Sequence, residues 1–150
     1  MLKNKNIVIG ITGGIACYKV CEVISYFVRE GANVDVIMTK NATEFITPLT
    51  IETLSKNKVV IDMFEKKKHI EVEHISLAKK ADLILVIPAT ANVIGKVANG
   101  IADDMLSTTI MATTSKVVFA PAMNNGMYEN PIGYSHVIKK YVREQSELFK

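Results

Sequence analysis

Apolar residues in this chain gather into short, nearly continuous runs separated by stretches with helical spacing. The runs are Asn6–Thr12 (NIVIGIT), Asn33–Thr39 (NVDVIMT), a weaker Lys58–Met63 (KVVIDM), Asp82–Pro88 (DLILVIP) and Lys116–Ala120 (KVVFA). Strands apolar on both faces belong in a parallel sheet covered by helices. Between the first two runs, Val20, Val23, Ile24, Phe27 and Val28 recur at helical spacing, and Gly31 stops that helix. A second helix opens at Thr47-Pro48, with the hydroxyl as cap and proline in the first turn. A third begins near Glu71 and is expected to bury Ile75, Ala78 and Ala81. ANVIGKVA and DDMLSTTIMATT follow, and a last amphipathic helix after Pro131 carries Val137, Ile138, Tyr141 and Val142. This alternation predicts an α/β fold, a three-layer αβα sandwich with a doubly wound parallel sheet, in a single domain over residues 1–150. Ligands of such sheets bind outside the carboxyl ends of the strands. Every unusual motif here directly follows an apolar run.

After the first run comes Gly10-Ile11-Thr12-Gly13-Gly14-Ile15-Ala16. Paired glycines let backbone amides approach an anion at the positive start of a helix. The spacing matches neither G-x-G-x-x-G nor a P-loop. The second run ends in Thr39-Lys40, where an NAD-binding domain would usually place an acidic residue. A hydroxyl and a cation suit a phosphate better, which favours a mononucleotide. After the fourth run, Pro88-Ala89-Thr90-Ala91-Asn92 leaves room for a flat ring, and Asn92 offers a donor and an acceptor. An ordinary strand-to-helix turn accounts for these residues equally well. After the fifth run lie Ala120 to Pro131, with three asparagines and two methionines. A loop this long is expensive to order for connection alone. Asn124 is its functional candidate, while Met123 and Met127 also fit a core. His74, in Glu73-His74-Ile75-Ser76, falls in the first turn of a helix and in neutral form can take a proton. A lone histidine is also commonly structural, and His69 and His136 have no supporting context.

Composition narrows the picture. Hydrophobic residues make up 49% and charged residues 22% of the 150 positions, which argues for a globular protein. Eighteen Lys+Arg against 15 Asp+Glu give a net charge of +3, too even for a nucleic-acid partner. The run Lys66-Lys67-Lys68 reads as a solvated loop. The apolar stretch in MLKNKNIVIG is too short for a signal or a membrane span, so a cytoplasmic protein without a membrane partner is expected. Cys17 and Cys21 lie four apart on one helix. That spacing is poor for a disulfide, and two thiols cannot close a zinc site, so no metal is expected.

Taken together, the segments GITGGIACYK (10–19), TKNATEFITPL (39–49), HISLAKKADLILVIPATANVIGKVANGIADDMLST (74–108) and APAMNNGMYENP (120–131) resemble the homo-oligomeric flavin-containing cysteine decarboxylases. The phosphopantothenoylcysteine decarboxylases are the most similar branch. The resemblance implies a Rossmann-like flavoprotein that binds FMN. Gly13, Gly14 and Ile15 would cradle its phosphate with Thr39, and Phe45 would lie against the flavin. Thr90, Ala91 and Asn92 would line the ring, with Ser107, Thr108 and Ala122 completing the cofactor site. His74 would be the catalytic base, and Asn124 with Met123 would bind the substrate. The implied reaction decarboxylates 4'-phospho-N-pantothenoylcysteine to 4'-phosphopantetheine in coenzyme A biosynthesis. Oxidation at the CH2–SH carbon places the carboxylate β to a thiocarbonyl, from which CO2 can leave. The family assembles as trimers, often dodecamers. Its members carry a later clamp segment with a proton-donating cysteine, whereas no cysteine follows Cys21 here. The sequence thus reads as the part before the clamp, with the reductive half-reaction lacking its donor. Two alternatives follow: a peptidyl-cysteine decarboxylase that stops at the ene-thiol, or a flavin-binding subunit without turnover.

Overall fold

A computed structural model describes residues 2–63 and 73–131. Strands β1 (Asn6–Ile11), β2 (Asn33–Met38), β3 (Val59–Val60), β4 (Leu83–Ala89) and β5 (Lys116–Pro121) form one sheet in the order β3-β2-β1-β4-β5. All pairings are parallel. The helices are α1 (Cys17–Arg29), α2 (Pro48–Ser55), α3 (Glu73–Lys80), α4 (Ala91–Ala98), α5 (Met105–Ala112) and the short α6 (Asn125–Tyr128). A 3-10 turn occupies Lys40–Glu44. The chain winds outward from β1 to β3, then crosses to β4 and β5 on the other side. The carboxyl ends of β1 and β4 therefore flank a topological switch point, where chain segments diverge and leave a crevice. The expected doubly wound α/β architecture is present.

Alternation along each strand feeds two cores. Ile7, Ile9 and Ile11 of β1 pack with Val20 and Ile24 of α1, Met38 and Ile51. Val8 points the other way, into Ile37, Ile84, Val86, Val93, Leu106 and Ile110. The sheet is thus apolar on both sides, which is why the runs read as continuous. Helix α1 ends as its sequence predicts. Gly31 adopts φ +84°, its N–H donates to Val28 O, and the Ala32 N–H donates to Phe27 O. These are the two bonds of a Schellman cap. Thr47 accepts from the Thr50 N–H and starts α2.

Helix α3 departs from expectation. Leu77 and Ala78 are buried, as is Ala81 just beyond the helix, whereas Ile75 is 39% exposed. At about 100° per residue, Ile75 lies some 200° around the helix from Leu77, so both cannot face the sheet. Strand β3 is also shorter than its apolar run, pairing only Val59 and Val60 with β2. The start of the third helix near Glu71, the Lys66–Lys68 run, His69, His136 and the helix after Pro131 lie outside the described residues.

The amino-terminal edge of the sheet is tied crosswise. Asn57 Nδ2 donates to Asn33 Oδ1, and Asn33 Nδ2 to Asn6 Oδ1. The Asn6 N–H donates to Asp82. Asn6 is the first cause of the lowering of the Asp82 pKa. Among the described residues no helix is long and apolar enough to cross a membrane. No group of three or more His, Cys, Asp or Glu among them could hold a metal ion.

Candidate functional site

Four strand exits line up along the carboxyl edge and are hydrogen-bonded to one another. The Thr39 N–H, leaving β2, donates to Ile11 O at 3.0 Å. The Thr90 N–H, leaving β4, donates to Thr12 Oγ1 at 3.0 Å. The Ala122 N–H, leaving β5, donates to Ala89 O at 3.1 Å. One rim therefore carries Gly13, Gly14, Ile15, Thr39, Thr90, Ala91, Asn92, Ala122, Met123 and Asn124, residues drawn from four separate stretches of sequence.

The glycine loop has the character of an anion cradle. Helix α1 begins at Ala16 with no side-chain cap and no acidic residue in its first turn. By contrast, Thr47, Thr90, Asp104 and Asn124 each cap their helices with a side chain. The first turn of α1 thus has no side-chain acceptor at the positive end of a 13-residue helix, while the Cys17 N–H donates to Gly14 O and the Lys19 N–H to Ala16 O. The loop is also pressed close by its neighbour. A Cβ on Gly13 would stand 2.6 Å from Asn41 Cβ and 2.9 Å from Asn41 O. A Cβ on Gly14 would meet only Thr90 Cγ2, at 3.9 Å. Thr39 accepts the Ala42 N–H at 3.3 Å and so starts the turn that brings Asn41 over the loop. Phe45 ends that turn and is 51% exposed, while Ile15 is 76% exposed.

A cleft opens beside the β2 and β4 exits, lined by Met38, Thr39, Lys40, Asn92, Lys96 and Asp104 among others. Thr90 caps α4 and Asn92 stands exposed in its first turn. Ser107 and Thr108 are engaged locally. The Ser107 hydroxyl bonds Asp104 in a capping box and is buried, and Thr108 Oγ1 donates to Ala102 O at 3.3 Å. Lys96 Nζ reaches Asp103 at 2.8 Å and Asp104 at 3.2 Å, tying α4 to α5.

Asn124 lies three residues beyond β5 and caps α6, with Oδ1 accepting the Gly126 N–H at 2.8 Å. Met123 packs against the α4–α5 core, whereas Met127 is 52% exposed. His74 stands in the first turn of α3, the crossover helix into β4. A crossover helix runs antiparallel to its strands, so its first turn lies toward their carboxyl ends. His74 Nδ1 is buried and has no hydrogen-bond partner among the described residues. A buried polar atom left unsatisfied in this way is suited to meet a ligand.

Four contributors were not singled out in the sequence. Thr12 looks like one more residue of an apolar run, yet it is fully buried and joins the β1 and β4 exits. Asn41 shapes the loop through its backbone, which no motif records. Lys96 and Asp104 pair across two helices. Cys17 is buried and free, with its thiol donating to Thr12 O at 3.1 Å. Burial pushes that thiol's pKa up, outweighing its backbone hydrogen bonds.

An uncapped helix start, a glycine loop and a capped second loop meet at the switch point of this doubly wound α/β protein, the edge where such sheets bind ligands. Comparison with known proteins sharpens that class. The chain belongs to the Flavoprotein family, whose model matches residues 1–144. It is 60% identical over 132 residues to the coenzyme A biosynthesis bifunctional protein CoaBC of Borreliella burgdorferi, covering 88% of this chain and 34% of that one. It is 40% identical over 142 residues to the probable phosphopantothenoylcysteine decarboxylase of Streptococcus mutans, covering 92% and 79%. The chain thus spans about a third of the length of the bifunctional relatives it matches. Among solved structures, the FMN-dependent cysteine decarboxylase SpaF superposes with a TM-score of 0.84 at 28% identity, covering 98% and 82%. A PPC decarboxylase variant complexed with pantothenoylaminoethenethiol superposes with a TM-score of 0.76 at 27% identity, covering 97% and 79%.

Proposed function

We propose that this chain binds FMN along its carboxyl rim and decarboxylates 4'-phospho-N-pantothenoylcysteine in coenzyme A biosynthesis. The observation that carries this reading is the uncapped start of α1 behind Gly13 and Gly14, hydrogen-bonded through Thr12 to the capped loop Thr90–Asn92. A phosphate fits the first feature and a flat ring the second. The family assignment and the names of the relatives support the same assignment.

In this reading the amides of Gly13, Gly14 and Ile15 hold the phosphate, which needs no lysine because the helix start supplies the positive potential. Thr39 adds its hydroxyl proton, its oxygen already serving Ala42. Thr90, Ala91, Asn92 and Ala122 line the ring, with Phe45 against it. Ser107 and Thr108 contribute from α5 by shaping the wall, since their hydroxyls are engaged at the helix start. When bound, FMN supplies the hydride acceptor that lets the carboxylate become β to a thiocarbonyl before CO2 leaves. His74 takes the thiol proton, and its buried Nδ1, without a partner among the described residues, offers a position for that proton-bearing group. Asn124, whose Oδ1 is engaged by Gly126, keeps its Nδ2 hydrogens for the substrate carboxylate, with Met123 packed behind it.

The reading includes self-association. Ile15, Phe45 and Leu49, 76%, 51% and 71% exposed, are large apolar side chains on and near the cradle. An apolar surface of that kind favours a partner, here a second copy of the chain.

Titration of the purified protein with FMN, followed by absorbance, tests the cofactor. Incubation with phosphopantothenoylcysteine, followed by CO2 release and product mass, tests the reaction. Saturable yellow complex formation and CO2 release are expected. A protein that takes up no FMN would overturn the reading.

A further inference from the structure

We propose that Thr12 is a positioning residue that fixes the spacing between the phosphate cradle and the ring-binding loop. This inference rests on the FMN reading above. Thr12 is 0% exposed and its hydroxyl is doubly used. Oγ1 donates to Pro88 O at 2.6 Å and accepts the Thr90 N–H at 3.0 Å. Its own carbonyl accepts the Cys17 thiol at 3.1 Å, while the Cys17 N–H closes the loop onto Gly14 O at 3.0 Å. The β1 and β4 strands pair from Ile7↔Leu83 to Gly10↔Val86. Beyond that register, Thr12 carries the connection on through its side chain to Pro88 and Thr90.

The consequence is specific to a ligand that touches both loops. Gly13 and Gly14 follow Thr12 directly, and Thr90 is the cap of α4, with Ala91 and Asn92 next in sequence. A ligand held by two anchors gains from the second only when their separation matches its own span. FMN spans phosphate and ring. Riboflavin, lacking the phosphate, uses the ring loop alone. Loss of the Thr12 hydroxyl should therefore weaken FMN far more than riboflavin. General destabilisation would weaken both alike.

Thr12→Val keeps shape and removes both hydrogen bonds, Thr12→Ala removes them with less bulk, and Thr12→Ser retains them. FMN and riboflavin affinities are measured for each folded variant against wild type. The expected result is an FMN affinity reduced by about tenfold or more in the Val and Ala variants, riboflavin within about twofold, and near-complete recovery in the Ser variant. Equal losses for both flavins, or no loss for either, overturn the positioning role while leaving the FMN reading intact. Wild-type protein that binds neither flavin overturns both. Should neither hydroxyl-free variant fold, Thr12→Cys, which keeps only a weak donor and acceptor, takes their place in the same two titrations. A larger loss for FMN than for riboflavin supports the role, and equal losses or none overturn it.

Discussion

Lys96 Nζ lies 3.2 Å from Asp104 Oδ2, and the other oxygen of that carboxylate accepts the Ser107 N–H at 2.8 Å. One carboxylate thus starts α5 and holds it to α4. Burial pushes the Asp104 pKa up, but its bonds to Ser107 and Lys96 outweigh burial and leave it below the ordinary value. Lys96 moves the opposite way, first because of its hydrogen bond to Asp103.

The sign of the pH effect follows from Asp104. A carboxylate whose folded pKa is depressed contributes stability above its unfolded value, about 3.9 for aspartate. That contribution is lost as pH falls through the lower, folded value. Asp104→Ala should lower stability near neutral pH by about 1 kcal/mol, the usual loss for a helix cap. It should also flatten the decline below about pH 4. Thermal melts of both proteins from neutral to acid pH check this, and an acid decline as steep as wild type would contradict it.

Gly13 and Gly14 are adjacent and look equivalent in sequence, yet their surroundings differ. A Cβ at position 13 would press on Asn41 backbone at 2.9 Å, which cannot swing away as a side-chain tip can. Gly13→Ala should therefore cost about 1–3 kcal/mol by displacing the turn over the loop. Gly14→Ala meets nothing nearer than 3.9 Å and should melt close to wild type. Equal melting temperatures for the two variants would show that Asn41 yields freely.

Much of the fold was legible because its physics is local. Apolar runs marked all five strands, Gly31 marked the end of α1, and Thr47-Pro48 marked the start of α2. The glycine loop and the β4 exit were legible as candidates because strand ends at a switch point collect ligands. Other features arise only from long-range packing. Which face α3 buries depends on its contacts with the sheet and α5, so Ile75 could not be told from Leu77 by pattern alone. Thr12 bonds residues 76 and 78 positions away, a relation no spacing rule contains. The family resemblance places Ser107 at the cofactor site, but whether its hydroxyl faces a ligand or its own helix start depends on the cap three residues earlier.

His74 separates binding from chemistry in the proposed reaction. His74→Asn keeps a polar side chain in the first turn of α3 but removes the basic ring. FMN uptake should persist, while CO2 release from phosphopantothenoylcysteine falls by about a hundredfold or more, as for loss of a general base. Stopped-assay CO2 measurement on FMN-loaded protein is the check. Unimpaired release would remove His74 from the mechanism, and absence of release by wild type with normal FMN binding would favour a flavin-binding subunit without turnover.

Among the described residues, the closest helix-to-sheet approach of a glycine yields a test of how α5 is placed. A Cβ on Gly10, inside β1, would fall 2.5 Å from Leu106 Cδ1, and Leu106 is almost fully buried. The missing side chain therefore makes room for Leu106. Gly10→Ala forces Leu106 into a poorer position and should cost about 1–3 kcal/mol, while Leu106→Ala should cost about 2–5 kcal/mol through lost burial and a cavity. In the double variant the new methyl enters space that Leu106 has vacated. The double variant should thus be more stable than the sum of the single losses predicts, by about 0.5–3 kcal/mol, the range for residues in contact. Denaturant melts of the four proteins measure this coupling. Strict additivity would mean that α5 slides away from β1 when Gly10 gains a side chain. The Asp104 and Met105 end of the cleft should then move with the helix.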